Sequence, residues 1–566
     1  MKFLQTNNNP KKVVTIFLFV LLTTINVKSQ SATSFSSGSH SSSNIHQKIV
    51  TFFQEWRKFE KPPIRNGAPD YTLATFERRW PVFKNLQKKF LAIDTTGWSI
   101  DEQVDWHVIW AEMNGYDFNH RILKPWQRDP AFYKTIWTER SDVPAHEGPT
   151  HHMVVDLWKY HFPLVGDERQ KLIKELQVIR PLNEQAKLNL TGNAKDLWTT
   201  GIRDIKTQEN DLKELLENAE IKNDAELQKL INECISSTQS FIIWLQKESL
   251  KKNGPSGIGK ENYDWYQRYV HLVPYNWEKQ VMLLQRELDR AWASLKLEEQ
   301  RNKNLPPLNP VTNSDDYTKL AAQATKSLIQ FLDKNDMVTV KPYFESALKA
   351  HEGKYVPSEK RNFFLITSHH DPRPLFSHFY HWFELARMDN EPHTCEIRRV
   401  PMLYNIFDTR NEGFATAVEE IFMNAGLYDD SPKSREIVYI LVAQRAARGL
   451  GSLYAHANQM TMQEAGSIHS DYTPRGWMKT EKELKIFEQH LYLQQPGYGS
   501  SYITGKAMVD HLMMEYAKMK ESKLVPFSIK EFLDQLTSNG NIPISLTQWE
   551  MTGNDSEIRK LTSGKK

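Results

Sequence analysis

The chain has 566 residues and a formal net charge of +3 at pH 7. Because this charge is small and no basic stripe runs along the sequence, binding of nucleic acid has no electrostatic basis, and we exclude it. Hydrophobic residues make up 40% of the chain and include 16 tryptophans, enough for a substantial core. The only two cysteines, Cys234 and Cys395, provide no disulfide framework.

The first 45 residues predict export. Lys11 and Lys12 precede a short apolar run that starts at Val13, and small residues follow, which is typical of a cleaved signal peptide at residues 1–29. The run is shorter than the roughly 20 residues that span a bilayer, so no stable membrane anchor is expected after cleavage. No cysteine near the cleavage site offers the lipid attachment point of a bacterial lipoprotein. A Ser-rich linker at residues 30–45 follows, and we expect a periplasmic or extracellular protein.

Residues 46–566 predict a mainly α-helical domain, either one large multi-helix unit or two lobes around a cleft. Apolar residues recur at helical spacing in several long stretches. The two best strand candidates, 338–342 and 362–368, predict a small β element. The clearest helical stretches are 44–60, 207–252 with a hinge near 222–224, 277–302 and 315–336.

The stretch HEGPTHH, residues 146–152, contains the residue types of a zinc peptidase motif. In a helical His-Glu-x-x-His motif the histidines are four residues apart, about 40° around the helix, and bind one ion. On a helix, His151 and His152 would point about 140° and 120° away from His146. The Gly-Pro pair between them also prevents a regular helix. We interpret the stretch as a loop that borders a cleft and leads into a helix at 151–162.

A second group of histidines has better spacing. His378 and His381 are three residues apart in PLFSHFYHWFELARM, about 60° around a helix, so both imidazoles can reach one ion. A further predicted helix begins near residue 411 and carries Glu412 and Glu419 on one face. Two histidines and a glutamate are the ligands of many catalytic zinc sites. The spacing therefore indicates a zinc site at His378, His381 and Glu412, and hydrogen-bonded core histidines remain the alternative.

Four motifs, in order, resemble those of one family. RDPAFY at 128–133 is similar to the family's DPxxY, and EGFATAVE at 412–419 to its EGWA…YxE helix. RAARGLGSLYAH, from Arg445, is similar to its Arg-Ala-Ala-Arg helix, and QPGYGSSYITGK at 495–506 to its PG…SYxxG element. The chain thus resembles domain-of-unknown-function family 885, a mainly helical bacterial group often described as metallopeptidase-like. The resemblance is strongest over residues 360–550.

This resemblance implies an exported metal-dependent hydrolase that acts on a peptide, an amide or another small molecule. It places Tyr502 near the cleft, where a phenol can stabilise developing negative charge. The family's metal motif is His-Glu-x-x-Pro-Gly-His-His, and His378 stands at its first histidine. Phe379 replaces the glutamate that follows, and the Pro-Gly pair is absent.

Since Phe379 cannot act as the general base, another acid must do so. Glu384 shares the predicted histidine helix and is the first candidate, and Glu419 is the second, as a base or as a partner of the ligands. Arg398 and Lys506 are candidates for holding a substrate carboxylate. Two alternatives stay open: a non-catalytic binding protein that keeps the cleft but has lost the metal chemistry, and a metal-free reaction that uses the same residues as acid and base.

Overall fold

A computed structural model describes residues 44–399, 401–479 and 482–563. The predicted signal peptide, and all but the end of the predicted linker, lie outside the described residues. Within the described part the protein is mainly α-helical, which confirms the predicted fold class. Lys48–Lys566 forms one compact unit. No helix in the described ranges is both long enough and apolar enough to cross a membrane.

The α-helices are numbered in chain order. Those of the first half are α1 (Asn44–Glu60), α2 (Leu73–Leu91), α3 (Ile100–Phe118), α4 (Pro125–Arg128), α5 (Glu168–Leu176), α6 (Ile179–Asn189), α7 (Lys195–Leu216), α8 (Ala225–Ser249), α9 (Lys260–Tyr269) and α10 (Trp277–Arg301). Those of the second half are α11 (Ser314–Lys334), α12 (Phe344–Lys349), α13 (Phe363–His370), α14 (Arg373–His378), α15 (Tyr380–Asn390), α16 (Glu396–Arg399), α17 (Asp408–Asn424), α18 (Ser434–His456), α19 (Met462–Asp471), α20 (Glu483–Gln494), α21 (Tyr498–Ser522), α22 (Ile529–Ser538), α23 (Ile544–Thr552) and α24 (Ser556–Thr562).

The long helices predicted from apolar spacing are confirmed. The stretch 207–252 forms the end of α7 and all of α8, with the hinge where it was predicted. Asp224 fixes the start of α8, because its side chain accepts hydrogen bonds from the backbone N–H groups of Glu226 and Leu227. Helices α10 and α11 cover the other two interior stretches.

Both predicted strands are wrong. Residues 362–368 form the beginning of α13, because the side chain of Asn362 caps the helix by accepting a hydrogen bond from Leu365 N–H at 2.9 Å. The helix cap therefore outweighs the local preference of these residues for a strand. Residues 338–342 are irregular, and Thr339 bonds to the carboxylate of Asp534 rather than to a partner strand.

The strands that the described residues do form are short pairs in the first third of the chain. The second pair contradicts the helix predicted at 151–162. The β-branched Val154 and Val155 favour extended backbone, and pairing with β3 keeps the segment at Val155 extended. The strands are β1 (Ile64–Arg65) antiparallel to β2 (Ala68–Pro69), and β3 (Ile136–Trp137) parallel to β4 (Val155–Asp156).

Helices α17 and α21 approach so closely that their backbones are nearly in contact. A Cβ added at Gly505 would lie 2.1 Å from the backbone oxygen of Thr409 and 2.7 Å from Gly413 Cα. The absence of a side chain at both glycines therefore permits this packing. It also brings Glu412 of α17 within hydrogen-bonding distance of Tyr498 on α21.

Replacing Gly505 by alanine is expected to destabilise the protein by about 1–3 kcal/mol, because the new methyl group meets backbone that must move. Thermal unfolding followed by circular dichroism measures the effect. Gly466→Ala in α19 is the matched control, since the added Cβ would meet only the flexible side chain of Lys485, at 3.2 Å. Equal melting temperatures for the two variants would contradict the close packing of α17 and α21.

A buried histidine between two aspartates ties α20 to the rest of the fold. His490 Nδ1 lies 3.2 Å from Asp204 Oδ2, and its Nε2 lies 3.8 Å from Asp129 Oδ1. Burial alone would lower the pKa of His490, but the two carboxylates outweigh it and raise the pKa to about 9. The imidazolium form is therefore the one that stabilises the fold.

This arrangement predicts a pH-dependent difference in stability between the wild type and His490→Gln. A folded-state pKa above the unfolded one gives a stabilisation that is complete below about pH 6.5 and is lost as pH rises through about 9. The advantage of the wild type in free energy of unfolding should shrink by on the order of 3 kcal/mol over this range. Urea unfolding of both proteins between pH 6 and 9.5 measures it, and a constant difference would rule the ion pairing out.

Candidate metal centre

The structure brings together the three residues that spacing indicated as metal ligands. His378 ends α14 and His381 lies in the first turn of α15, so the single helix predicted for them is interrupted at Phe379. Their rings are nevertheless 5.0 Å apart, centroid to centroid, and nearly perpendicular. Glu412 approaches from α17, with its Oε2 3.7 Å from His378 Nε2 and 3.3 Å from His381 Nε2.

These donor atoms are suitably spaced for one metal ion. With bonds of about 2.0–2.1 Å, the donors of a tetrahedral zinc site are roughly 3.3 Å apart. His378, His381 and Glu412 are 8%, 2% and 1% exposed, so water does not hydrate them freely. His381 Nε2 and Glu412 Oε2 form no well-aligned hydrogen bond, and their 3.3 Å contact is an ion pair in which Glu412 raises the pKa of His381 to about 9. A bound cation would take the place of the proton between these two atoms and would bind both of them.

Glu419 supports His378 from the side opposite the cluster. Its Oε1 lies 3.0 Å from His378 Nδ1, and its Oε2 accepts a hydrogen bond from Arg445 at 2.6 Å. A histidine that binds metal usually directs its other ring nitrogen at a carboxylate, which fixes the tautomer. Of the two roles predicted for Glu419, this position favours the partner of a ligand over the general base.

The histidines of HEGPTHH do not reach the cluster, as the loop interpretation predicted. His146 Nε2 lies 3.0 Å from Asp156, and His151 Nε2 lies 3.2 Å from the hydroxyl of Thr135. His152 Nε2 bonds to the carboxylate of Glu60, at 2.6 Å from Oε2. Each histidine therefore has a separate partner.

The glutamate of the same stretch is linked to the cluster through Tyr498, although the spacing of the histidines weighed against a metal site in that stretch. The hydroxyl of Tyr498 lies 2.6 Å from Glu147 Oε1 and 2.7 Å from Glu412 Oε1. Gly148 permits the turn that directs Glu147 inward, with a φ of +78°. Its N–H donates to Gln495 Oε1 at 2.7 Å, which anchors the loop beside α21.

The hydrogen bonds among Glu147, Tyr498 and Glu412 depend on which of the two acids is protonated. Burial and the neighbouring Asp142 raise the pKa of Glu147 to about 8. The pKa of Glu412 is well below its ordinary value, because His381 and His378 outweigh its burial. One hydroxyl hydrogen cannot serve two carboxylates at once, so Tyr498 donates to Glu147 or to Glu412, and both contacts are satisfied together only when Glu147, the acid with the raised pKa, is protonated. The Tyr498 hydroxyl therefore links the two acids by short hydrogen bonds.

Glu384, the first candidate for the base, is already engaged. Its carboxylate accepts two hydrogen bonds from Arg410, at 2.6 and 3.1 Å. It borders, together with His381 and Asp142, a cavity of about 30 Å³, which is room for one or two water molecules. The structure therefore places Glu384 at the edge of the site and Glu147 inside it.

Tyr502 contacts the cluster indirectly, through Tyr498. Its hydroxyl is 3.4 Å from that of Tyr498, and its ring centroid is 6.1 Å from that of His378. The guanidinium of Arg448 lies 4.1 Å from the ring centroid. Tyr498, one helical turn earlier on α21, takes the position beside the donor atoms that the resemblance implied for Tyr502.

Arg398 and Lys506 have other partners. Arg398 donates to Asp105 at 2.6 Å and to Glu550 at 2.7 Å. Lys506 lies 3.0 Å from Glu420 and 2.8 Å from Asp510. Arg398 is thus paired with acids of the fold, and Lys506 with the buried Glu420 and the exposed Asp510, so both cations have partners other than the cluster residues.

No family model and no curated protein matches this chain. Two solved structures share its fold, with 90% of this chain and 98% of each of them aligned. One is a candidate lipoprotein of unknown function from Shewanella oneidensis, 14% identical, with a TM-score of 0.63. The other is a candidate lipoprotein from Colwellia psychrerythraea, also 14% identical, with a TM-score of 0.61. At this identity the likeness shows a common mainly helical fold over nearly the whole chain.

Proposed function

We propose that the protein is a metal-dependent hydrolase of peptide or amide bonds, with His378, His381 and Glu412 as the metal ligands. The observation that carries the proposal is the meeting of three buried donor atoms, all within 4.8 Å of one another. Two nitrogen donors and one oxygen donor suit zinc, and three protein ligands leave a fourth position for substrate. The support that Glu419 gives His378 is what such a site requires.

A divalent ion held there would polarise a carbonyl group and stabilise the charge that develops on its oxygen. The positive charge of the ion would lower the pKa of Glu147, whose carboxylate would then accept the proton of the attacking water and pass it to the leaving nitrogen, in place of the role first considered for Glu384. Tyr498 orients Glu147 through the 2.6 Å contact between its hydroxyl and the carboxylate. The hydroxyl of Tyr498 is 2.7 Å from Glu412 Oε1, and the hydroxyl of Tyr502 donates to that of Tyr498 at 3.4 Å.

A non-catalytic binding protein is the second candidate function. It is favoured by Phe379, whose ring packs against Phe376 at 5.7 Å between centroids and contributes no acid beside the first histidine. In that case the cluster holds an ion, and the cleft holds a ligand, without turnover.

Peptide hydrolysis by the protein from residue 31 onward separates the two candidates. The protein is loaded with zinc, incubated with a mixed-sequence peptide library and examined by mass spectrometry, with and without a chelator. New cleavage products that disappear with the chelator and return with zinc are the expected result. A fully zinc-loaded protein that cleaves no peptide would overturn the hydrolase and leave the binding protein.

We propose in addition that the protein is exported, as the pattern of residues 1–29 indicates. The description of both structural neighbours as candidate lipoproteins fits export, although this chain has no cysteine near the predicted cleavage site. The mass of the mature protein, recovered from a secreting host, should correspond to cleavage near residue 29. An intact N-terminus would contradict the proposal.

A further inference from the structure

A second cavity adjoins the small one beside His381, and the two share part of their walls. The small cavity has a volume of about 30 Å³ and the second one a volume of about 230 Å³. For comparison, an engineered apolar cavity of roughly 150 Å³ holds one benzene molecule. The residues common to both walls are Glu384, Arg387, Glu391 and Thr537. The larger cavity therefore has room for part of a ligand that also reaches the candidate metal centre.

Arg387 lies in the shared wall, between two acids that pair with other cations. On a helix such as α15, an arginine pairs with acids three or four residues away, which here are Glu384 and Glu391. Glu384 bonds instead to Arg410, at 2.6 Å. Glu391 bonds to Lys341, at 2.9 Å. Arg387 is half-buried and forms no ion pair within the described ranges of the chain, so its positive charge is left for a ligand.

The other cations that line the two cavities are engaged. Arg398 is paired with two acids, at 2.6 and 2.7 Å. Arg399 donates to two backbone oxygens, at 2.7 and 3.0 Å. Lys341 is the partner of Glu391. Among the described arginines and lysines of these walls, Arg387 is thus the one whose N–H donors are directed at no other group of the protein.

A guanidinium in this position suits a carboxylate. Its donors form a planar fork that binds both oxygens of a carboxylate at once. The stacked rings of Phe344 and Phe383, 4.3 Å between centroids, provide an apolar wall for the body of the ligand. Asp534, the remaining acid of the larger cavity, accepts two hydrogen bonds from Thr339, at 2.6 and 2.9 Å, which stabilise its charge within the protein.

We propose that Arg387 selects peptides that carry a carboxylate near the bond held at the metal centre. The inference rests on the proposed hydrolase and names its substrate class. Arg387 follows His381 by six residues on α15, about 9 Å along the helix axis. An extended peptide covers that distance in about three residues. The carboxylate is that of the C-terminus or of an acidic side chain, and the two sources are separated by experiment.

The first test is calorimetric titration of the protein from residue 31 onward, stripped of metal so that no ion can bind the carboxylate. Three acetylated tetrapeptides are compared: tetra-alanine with a free C-terminus, its C-terminal amide, and the amide in which aspartate replaces the last alanine. A carboxylate is expected to strengthen binding about 10- to 100-fold over the plain amide, as for hydrogen bonds between charged groups. The tighter of the two carboxylate peptides identifies the source.

Variants of Arg387 test the assignment. Arg387→Gln should bind the carboxylate peptides no more tightly than the plain amide, with its affinity for the plain amide unchanged. Arg387→Lys should keep part of the preference, because the charge remains but the paired hydrogen bonds are lost. Arg140→Gln is the control, since that exposed guanidinium already pairs with Asp389 at 3.0 Å, and it should keep the full preference.

The proposal is overturned if none of the peptides binds the wild type at millimolar concentration, or if the plain amide binds as tightly as both carboxylate peptides. It is also overturned if Arg387→Gln keeps the preference. The zinc-loaded wild type should show the same preference in kcat/KM. If binding depends on Arg387 but no peptide is cleaved, the hydrolase fails, and the carboxylate peptide is the ligand of a binding protein.

Discussion

Replacing Glu147 by glutamine is expected to lower kcat/KM for peptide hydrolysis by about 10²- to 10⁴-fold and to leave the metal content unchanged. The amide keeps the size of the side chain and a hydrogen bond to Tyr498, but it cannot take a proton from water. Steady-state kinetics on a cleaved peptide, together with metal analysis of the same preparation, measure both quantities.

Glu384→Gln is the matched control for this variant. Its carboxylate bonds to Arg410 at the edge of the site, so the expected loss of activity is less than about tenfold, the effect of a positioning change rather than of a lost base. The reverse pattern, with an active Glu147→Gln and an inactive Glu384→Gln, would return the base to Glu384, where the sequence alone had suggested it.

Replacing Glu419 by glutamine is expected to weaken zinc binding by about 10- to 100-fold, the usual effect of removing the carboxylate behind a histidine ligand. The 3.0 Å contact between Glu419 Oε1 and His378 Nδ1 provides the orientation that would be lost. Competition with a chelating dye measures the dissociation constant without any need for a substrate.

The adjacent Glu420 supplies the control, because it is on the same helix but pairs with Arg290 at 2.7 Å and with Lys506 at 3.0 Å. Glu420→Gln should bind zinc as tightly as the wild type. If Glu419→Gln also binds zinc like the wild type, Glu419 is a structural acid and not a partner of the ligand.

The sequence predicted the elements that are determined by residues close together in the chain. Helices such as α8 and α10 follow from apolar spacing, because one buried face repeats over many turns. The strand predictions failed at 362–368 because a single cap at Asn362 outweighed the strand preference of the residues after it. The true strands have two residues each, too short for any periodic signal.

The same distinction holds at the candidate site. His378, His381 and Glu412 were predicted to lie together because their spacing on two successive segments can be read from the sequence alone. Glu147 belongs to a loop far earlier in the chain, and only the packing of α17 against α21 places Tyr498 where it can contact that loop. Tyr498 did leave a signal, since it lies four residues before Tyr502 and therefore on the same helical face.

Metal content is the most direct test of the account. Inductively coupled plasma mass spectrometry is applied to the protein from residue 31 onward and to His378→Ala/His381→Ala, each after incubation with zinc and removal of the excess. The account predicts close to one zinc per chain in the wild type and none in the double variant, with the same helical circular dichroism. A wild type without zinc, or a double variant that retains it, would contradict a metal centre at this cluster.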